Sequence, residues 1–120
     1  MNIFQRIKAV LALREAIRKA DDAYLNGGGR YYVMPTEDGK LIVMSKKDFQ
    51  IMKRKRYIGK DTTTRDMLNE CFYFTPYKDG HGIITNEQRN IKAEQYMRWV
   101  EATQQLKKQL KKLKKLNRKP

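Results

Sequence analysis

The chain is poor in the residues that cross-link or coordinate: one cysteine and one histidine in 120 residues. A lone cysteine, Cys71, excludes an intramolecular disulfide, and together with His81 it cannot supply a three- or four-ligand zinc site of the Cys/His kind. Such cysteine usage fits a reducing compartment, and the expected location is cytoplasmic. Long apolar runs are also missing. No stretch approaches the roughly 20 apolar residues a bilayer span needs, and Arg6, Lys8, Arg14 and Glu15 interrupt the only early apolar run. Neither a membrane span nor a secretory leader is expected. Acidic residues are scarce, 13 against 27 Lys and Arg, which gives a formal charge of +14 and a sequence pI near 10.0. That imbalance points first to polyanionic partners.

What is present suffices for one small core. An apolar fraction of 40%, including 4 Phe, 1 Trp and 7 Tyr, matches a single domain at this length. The charge is unevenly placed. Residues 1–45 carry a net +2, residues 46–60 carry +6, residues 61–101 carry −2 and residues 102–120 carry +8. The division this predicts is a small domain over 1–101 and a basic helical tail over 102–120 that continues the last helix.

From Asn2 to Leu25, Ile3, Phe4, Ile7, Val10, Leu11, Leu13, Ile17, Ala20 and Tyr24 recur at mostly three- and four-residue intervals, the pattern of an amphipathic helix with one buried face. Asn26-Gly27-Gly28-Gly29 ends it, since glycine accepts the left-handed conformation of a helix C-terminus. Two β-favouring runs, Tyr31–Met34 and Leu41–Met44, flank a turn containing Asp38-Gly39 and predict a β-hairpin. Ser45 with Asp48, Thr63 with Asp66, and Thr85 with Gln88 are capping-box patterns that start three further helices. The first of these runs to about Arg56 with Phe49 and Met52 inward. The second is short and leads into Phe72-Tyr73-Phe74, and the third meets no Gly or Pro before Pro120. The expected fold class is therefore α+β: an N-terminal amphipathic helix, a hairpin, short helices and a long basic C-terminal helix.

For chemistry, Cys71 beside His81 could in principle form a thiolate–imidazole pair, but no orienting acid, metal set or phosphate loop accompanies them. The expectation is a small buried cysteine and a solvated loop histidine, hence no catalytic residues, no metal, no cofactor and no enzyme. Gly27-Gly28-Gly29 follows a helix and precedes a strand, the reverse of a phosphate-binding loop. Binding is a different matter. Lys107, Lys108, Lys111, Lys112, Lys114, Lys115, Arg118 and Lys119 suit the phosphate backbone of DNA or RNA without sequence readout, and Lys53, Arg54, Lys55 and Arg56 form a second candidate patch. The Lys53–Arg56 cations also complement the dipole at a helix C-terminus. Tyr96, Trp99, Thr103, Leu106, Leu110 and Leu113 are spaced as a short coiled-coil seam. This leaves an alternative in which Trp99, Leu106, Leu110 and Leu113 dock on a partner protein and the lysines meet an acidic surface. Membrane-surface binding is disfavoured, because no aromatic follows Trp99 as an anchor.

The wording Tyr31-Tyr32-Val33-Met34-Pro35-Thr36, then Asp38-Gly39-Lys40-Leu41-Ile42-Val43-Met44, then Phe49 and Lys53-Arg54-Lys55, resembles small uncharacterised proteins encoded by bacteriophages of gut Bacteroidetes, including the crAss-like group. The likeness covers about residues 1–75. It implies a phage setting, in the host cytoplasm or a virion, where a virion or assembly component with a basic tail would lie near packaged genome. It carries no catalytic motif and no residue roles.

Overall fold

The structure, a computed structural model, describes residues 1–117 and has the element order α1 (Ile3–Leu25), β1 (Tyr31–Pro35), β2 (Leu41–Ser45), α2 (Lys46–Arg54), α3 (Thr64–Glu70), β3 (Tyr73–Phe74) and α4 (Asn86–Asn117). The class is α+β, as the sequence predicts. Ser45–Asp48 and Thr63–Asp66 form reciprocal capping boxes on α2 and α3, and Thr85 and Gln88 exchange the same pair of hydrogen bonds at 3.0 and 3.1 Å ahead of α4. A further box at Asn2 and Gln5 opens α1.

The hairpin forms in register Tyr31↔Ser45 to Pro35↔Leu41, and Gly39 in its turn takes φ +81°. A third strand joins it. β3 pairs antiparallel with the other edge of β1, Tyr32↔Phe74 and Val33↔Tyr73, giving the order β2-β1-β3. The strand is extended by bonds from Phe72 N–H to the Val33 carbonyl (2.8 Å) and from Thr75 N–H to the Tyr31 carbonyl (2.9 Å).

Alternation along the strands sends successive side chains to opposite faces. Tyr32, Met44 and Phe74 pack with Phe49, Met67 and Cys71 of the α2–α3 layer. Val33 and Tyr73 pack with Ala16 and Ala20 of α1. Helix α4 joins the layers: Tyr96 and Phe72 close on Ala9, flanked by Trp99 and Val100. Arg89 lies 5.4 Å from the centre of the Tyr73 ring, whose hydroxyl donates to Asp21 at 2.7 Å, while Tyr96 reaches Ala9. The two helices therefore run in opposite directions.

The buried face of α1 keeps Leu13, Ile17, Ala20 and Tyr24 of the expected set and differs from it in the first half of the helix. Ala9, Ala16 and Ala20 are buried, with Leu13 and Ile17 beside them, whereas Ile3, Phe4, Ile7, Val10 and Leu11 are exposed, Phe4 by 79%. The periodicity is real, but the stripe that packs is the small one. Alanines let the helix axis approach the sheet closely, and at 100° per residue the larger residues lie on a different arc.

Candidate functional site

Past Val100, α4 leaves the core in two stages. Thr103 and Gln104 are half-buried, and a Cβ on Gly39 would stand 3.0 Å from the Thr103 methyl and 3.5 Å from Lys107 Nζ, so the helix still touches the hairpin turn at that level. From Lys108 to Asn117 every residue is exposed. The domain's contacts thus extend slightly beyond residue 101, and the free rod begins one to two turns into the tail. With its 32 residues, α4 dominates the longest dimension of the molecule, 61 Å.

The rod has two faces. Successive helical residues are rotated by 100°, which places Lys107, Lys108, Lys111, Lys112, Lys114 and Lys115 on an arc of roughly 160°. Leu106, Leu110, Leu113 and Leu116 take the opposite side and are all exposed. Among the described residues none of these lysines is in a salt bridge. Arg118 and Lys119, the last two candidate cations, lie outside the described residues.

Trp99 does not join the leucines as a free docking anchor. Its ring centre is 5.5 Å from that of Phe72 and 6.0 Å from that of Tyr96, and the residue is half-buried. The seam spacing holds along α4, but its first part is absorbed by the domain's own core. Leu106, Leu110 and Leu113 remain available.

The second basic cluster closes α2. Its chain reversal is a Schellman motif: Tyr57 N–H donates to the Met52 carbonyl (3.0 Å) and Arg56 N–H to the Lys53 carbonyl (3.2 Å). Arg56 fills the left-handed position at φ +63°, where glycine is usual. Arg54, Lys55 and Arg56 are exposed and Lys53 is half-buried. Tyr57, next in the chain, lines a cavity of about 630 Å³ with Thr36, Glu37 and Asp38 of the hairpin turn, the turn that Lys107 meets at Gly39. The acidic Glu37 and Asp38 of that turn thus lie on a wall shared with Tyr57. A cleft of about 850 Å³ between α1, the hairpin and α4 has Lys8, Lys19, Lys40 and Lys107 in its walls, together with Glu15 and Asp38.

Cys71 and His81 are not hydrogen-bonded to each other. The Cys71 thiol is fully buried and contacts the Leu68 carbonyl at 3.2 Å, and burial pushes its pKa up, an effect only partly countered by Lys92. His81 is exposed and pairs through Nδ1 with Asp79 at 2.8 Å, which holds the Asp79 carboxyl below its usual range.

Two cations escaped the sequence reading. Arg30 and Lys92 are buried, unlike every other Lys and Arg among the described residues. Lys92 had a legible signal: it precedes Tyr96 by four residues and so occupies a core position of α4. Arg30, between the glycine run and β1, gave none.

No family model, no curated protein and no solved structure matches the chain.

Proposed function

We infer that the chain is a non-enzymatic binding protein that lays the lysine face of its projecting C-terminal helix on the phosphate backbone of nucleic acid, DNA or RNA, without reading sequence. In a phage setting this would place it beside nucleic acid in a particle. The observation that carries the reading is the segregation of six exposed lysines onto one side of a helix that has left the core. From Lys107 to Lys115 the helix rises about 12 Å, a length along which one strand of duplex DNA presents roughly three or four phosphates. Lysines act there as point charges, so affinity comes from counterion release and not from base contacts. The Lys53–Arg56 patch at the end of α2 is a second candidate for phosphate contacts.

The exposed leucines favour a second reading, a structural adaptor. Leu106, Leu110, Leu113 and Leu116 form an uncovered apolar stripe, and Ile3, Phe4, Ile7 and Leu11 form another on α1. Contiguous apolar surface of this kind is characteristic of contacts with other proteins.

Salt titration of binding to a labelled 30-base-pair duplex tests the first reading. If Lys107 to Lys115 contact about three to six phosphates, at about 0.9 ion per phosphate, log affinity against log salt should fall with a slope of about −3 to −5, and more steeply if the other candidate cations add contacts. A slope near zero, or no binding at low salt, rules it out. No helix among the described residues is long and apolar enough to cross a membrane.

A further inference from the structure

Two positive charges inside the body are not explained by the basic surface. Arg30 and Lys92 are each only 9% exposed, and both line one cavity of about 440 Å³ formed by the end of α3, the β3–α4 loop and the first turns of α4. The Arg30 guanidinium carbon lies 3.8 Å from the centre of the Tyr77 ring and 4.6 Å from that of Phe74. Lys92 Nζ lies 5.8 Å from the centre of the same Phe74 ring. The shared ring keeps the two charges within about 10 Å of each other, about one screening length at 0.1 M salt. Among the described residues no carboxylate lies within 4.0 Å of either cation, and none lines the cavity.

The hydrogen-bonding capacity of the pair is also only partly used. Lys92 Nζ donates to the carbonyls of Leu68 (2.9 Å) and Cys71 (2.8 Å) at the C-terminus of α3, which leaves its third hydrogen. Arg30 donates through one terminal nitrogen to the Gly82 carbonyl, and its Nε is sealed from solvent with no acceptor. The loop is shaped closely around that guanidinium: Gly82 sits at φ +72°, and a Cβ there would collide with the Arg30 nitrogen. Buried cations are normally paired with an acid, and a buried donor without an acceptor is rare. Here two such cations line one cavity, and the unpartnered Nε is the buried inner atom of one of them.

We propose that this cavity binds the phosphate monoester of a small organic molecule. Arg30 and Lys92 supply the counter-charge, and the side-chain amides of Asn69 and Gln88 lie in the same lining as further donors. A phosphate monoester carries about −1.5 to −2 charges at pH 7, which matches two cations, whereas a carboxylate would leave one of them unbalanced. The volume falls within the roughly 300–1,000 Å³ of small-molecule sites and exceeds the needs of a bare oxyanion. Leu68 and Ile83 line the remainder, against which an organic group would rest. The site is separate from the lysine rod and does not rest on nucleic-acid binding.

The test is a titration of the full ¹⁵N-labelled chain with inorganic phosphate, then phenyl phosphate, at constant ionic strength set by chloride. It follows the Arg30 Nε–H and the side-chain amides of Asn69 and Gln88 by NMR. Saturable shifts of these resonances are expected, with phenyl phosphate binding more tightly than phosphate and acetate more weakly. Lys92→Gln should weaken binding about tenfold or more, the size of one lost charge-assisted contact. Because that variant also removes the donor to Leu68 and Cys71, the exposed Asn69→Ala provides a second, folded variant with a smaller loss. Lys111→Gln with Lys112→Gln should leave the binding unchanged. Shifts that grow linearly as with chloride, acetate binding as tight as phosphate, or saturation that disappears with the tail lysines would each overturn the proposal.

Discussion

The hydroxyl of Tyr96 donates to the backbone carbonyl of Ala9 at 2.7 Å, so two residues 87 positions apart fasten the last helix to the first. Both are buried, and Phe72 packs edge-on to the Tyr96 ring at 5.2 Å between centres. Trp99 and Val100 still pack on this cluster, and past them α4 begins to leave the core. Tyr96→Phe keeps the ring and removes the bond, so a loss of about 1 kcal/mol is expected in urea denaturation. An unchanged midpoint would mean that the helix is held by apolar packing alone.

Truncation after Lys107 should leave cooperative unfolding intact, with a change below about 0.5 kcal/mol, because every described residue beyond that point is exposed. Truncation after Glu101 should cost more, since Thr103 and Lys107 then no longer cover the hairpin turn. Thermal melts of the two shortened chains separate the cases. Equal and large losses from both would place the rod within the folded core.

Arg56→Gly should stabilise the protein by roughly 0.5–1 kcal/mol, because an L-residue at φ +63° bears a steric cost that glycine avoids, partly offset by the greater freedom of glycine when unfolded. Chemical denaturation reads this directly. A destabilised variant would show that the Arg56 side chain holds a contact worth more than the strain.

Cys71 should resist alkylation at pH 8 in the native protein and react at once in denaturant, because burial both shields the thiol and pushes its pKa up. Mass spectrometry after brief iodoacetamide treatment measures it. Rapid native labelling would indicate that the α3–β3 junction opens readily.

Tyr73 gives an alkaline signature. Burial first, then its bond to Asp21, pushes the phenol up to about 12, above the value of about 10 for an unfolded tyrosine. The unfolded chain therefore releases this proton first. The contribution of Tyr73 to stability is full below pH 10 and is lost as the pH rises toward 12. Replacement by Phe should flatten that part of the stability curve, and an unaltered slope between pH 10 and 12 would contradict the assignment.

Local signals in the sequence were faithful because they depend on a few neighbouring atoms. The boxes at Ser45–Asp48, Thr63–Asp66 and Thr85–Gln88 start helices as their spacing dictates, and Gly39 supplies the positive φ of the hairpin turn. The misses concern partners distant in sequence. Tyr73 and Phe74 form a strand only because β1 lies alongside, and two residues between a helix and Pro76 carry no period of their own. On α1 the expected face holds from Leu13 to Ala20, but over Ile3 to Leu11 the larger apolar residues are exposed and Ala9 packs instead, since only the sheet decides which side fits closest. Trp99 fitted the seam by spacing and was claimed by Phe72 instead. The lysines of α4 were legible as a charged face, whereas the burial of Arg30 could not be read from its neighbours.

Which face of the tail does the binding separates nucleic-acid binding from docking on a protein. Affinity for duplex DNA, measured over a range of salt concentrations, should be compared for Lys111→Gln with Lys112→Gln and for Leu106→Ser with Leu110→Ser. The lysine pair should weaken binding to every sequence by a similar factor and make the log–log salt slope shallower by roughly 1.8, about 0.9 for each lost phosphate contact. The leucine pair should leave that slope unchanged, since it removes apolar area and no counterion release. Association abolished by the leucine pair and barely altered by the lysine pair would contradict the nucleic-acid reading and favour the adaptor.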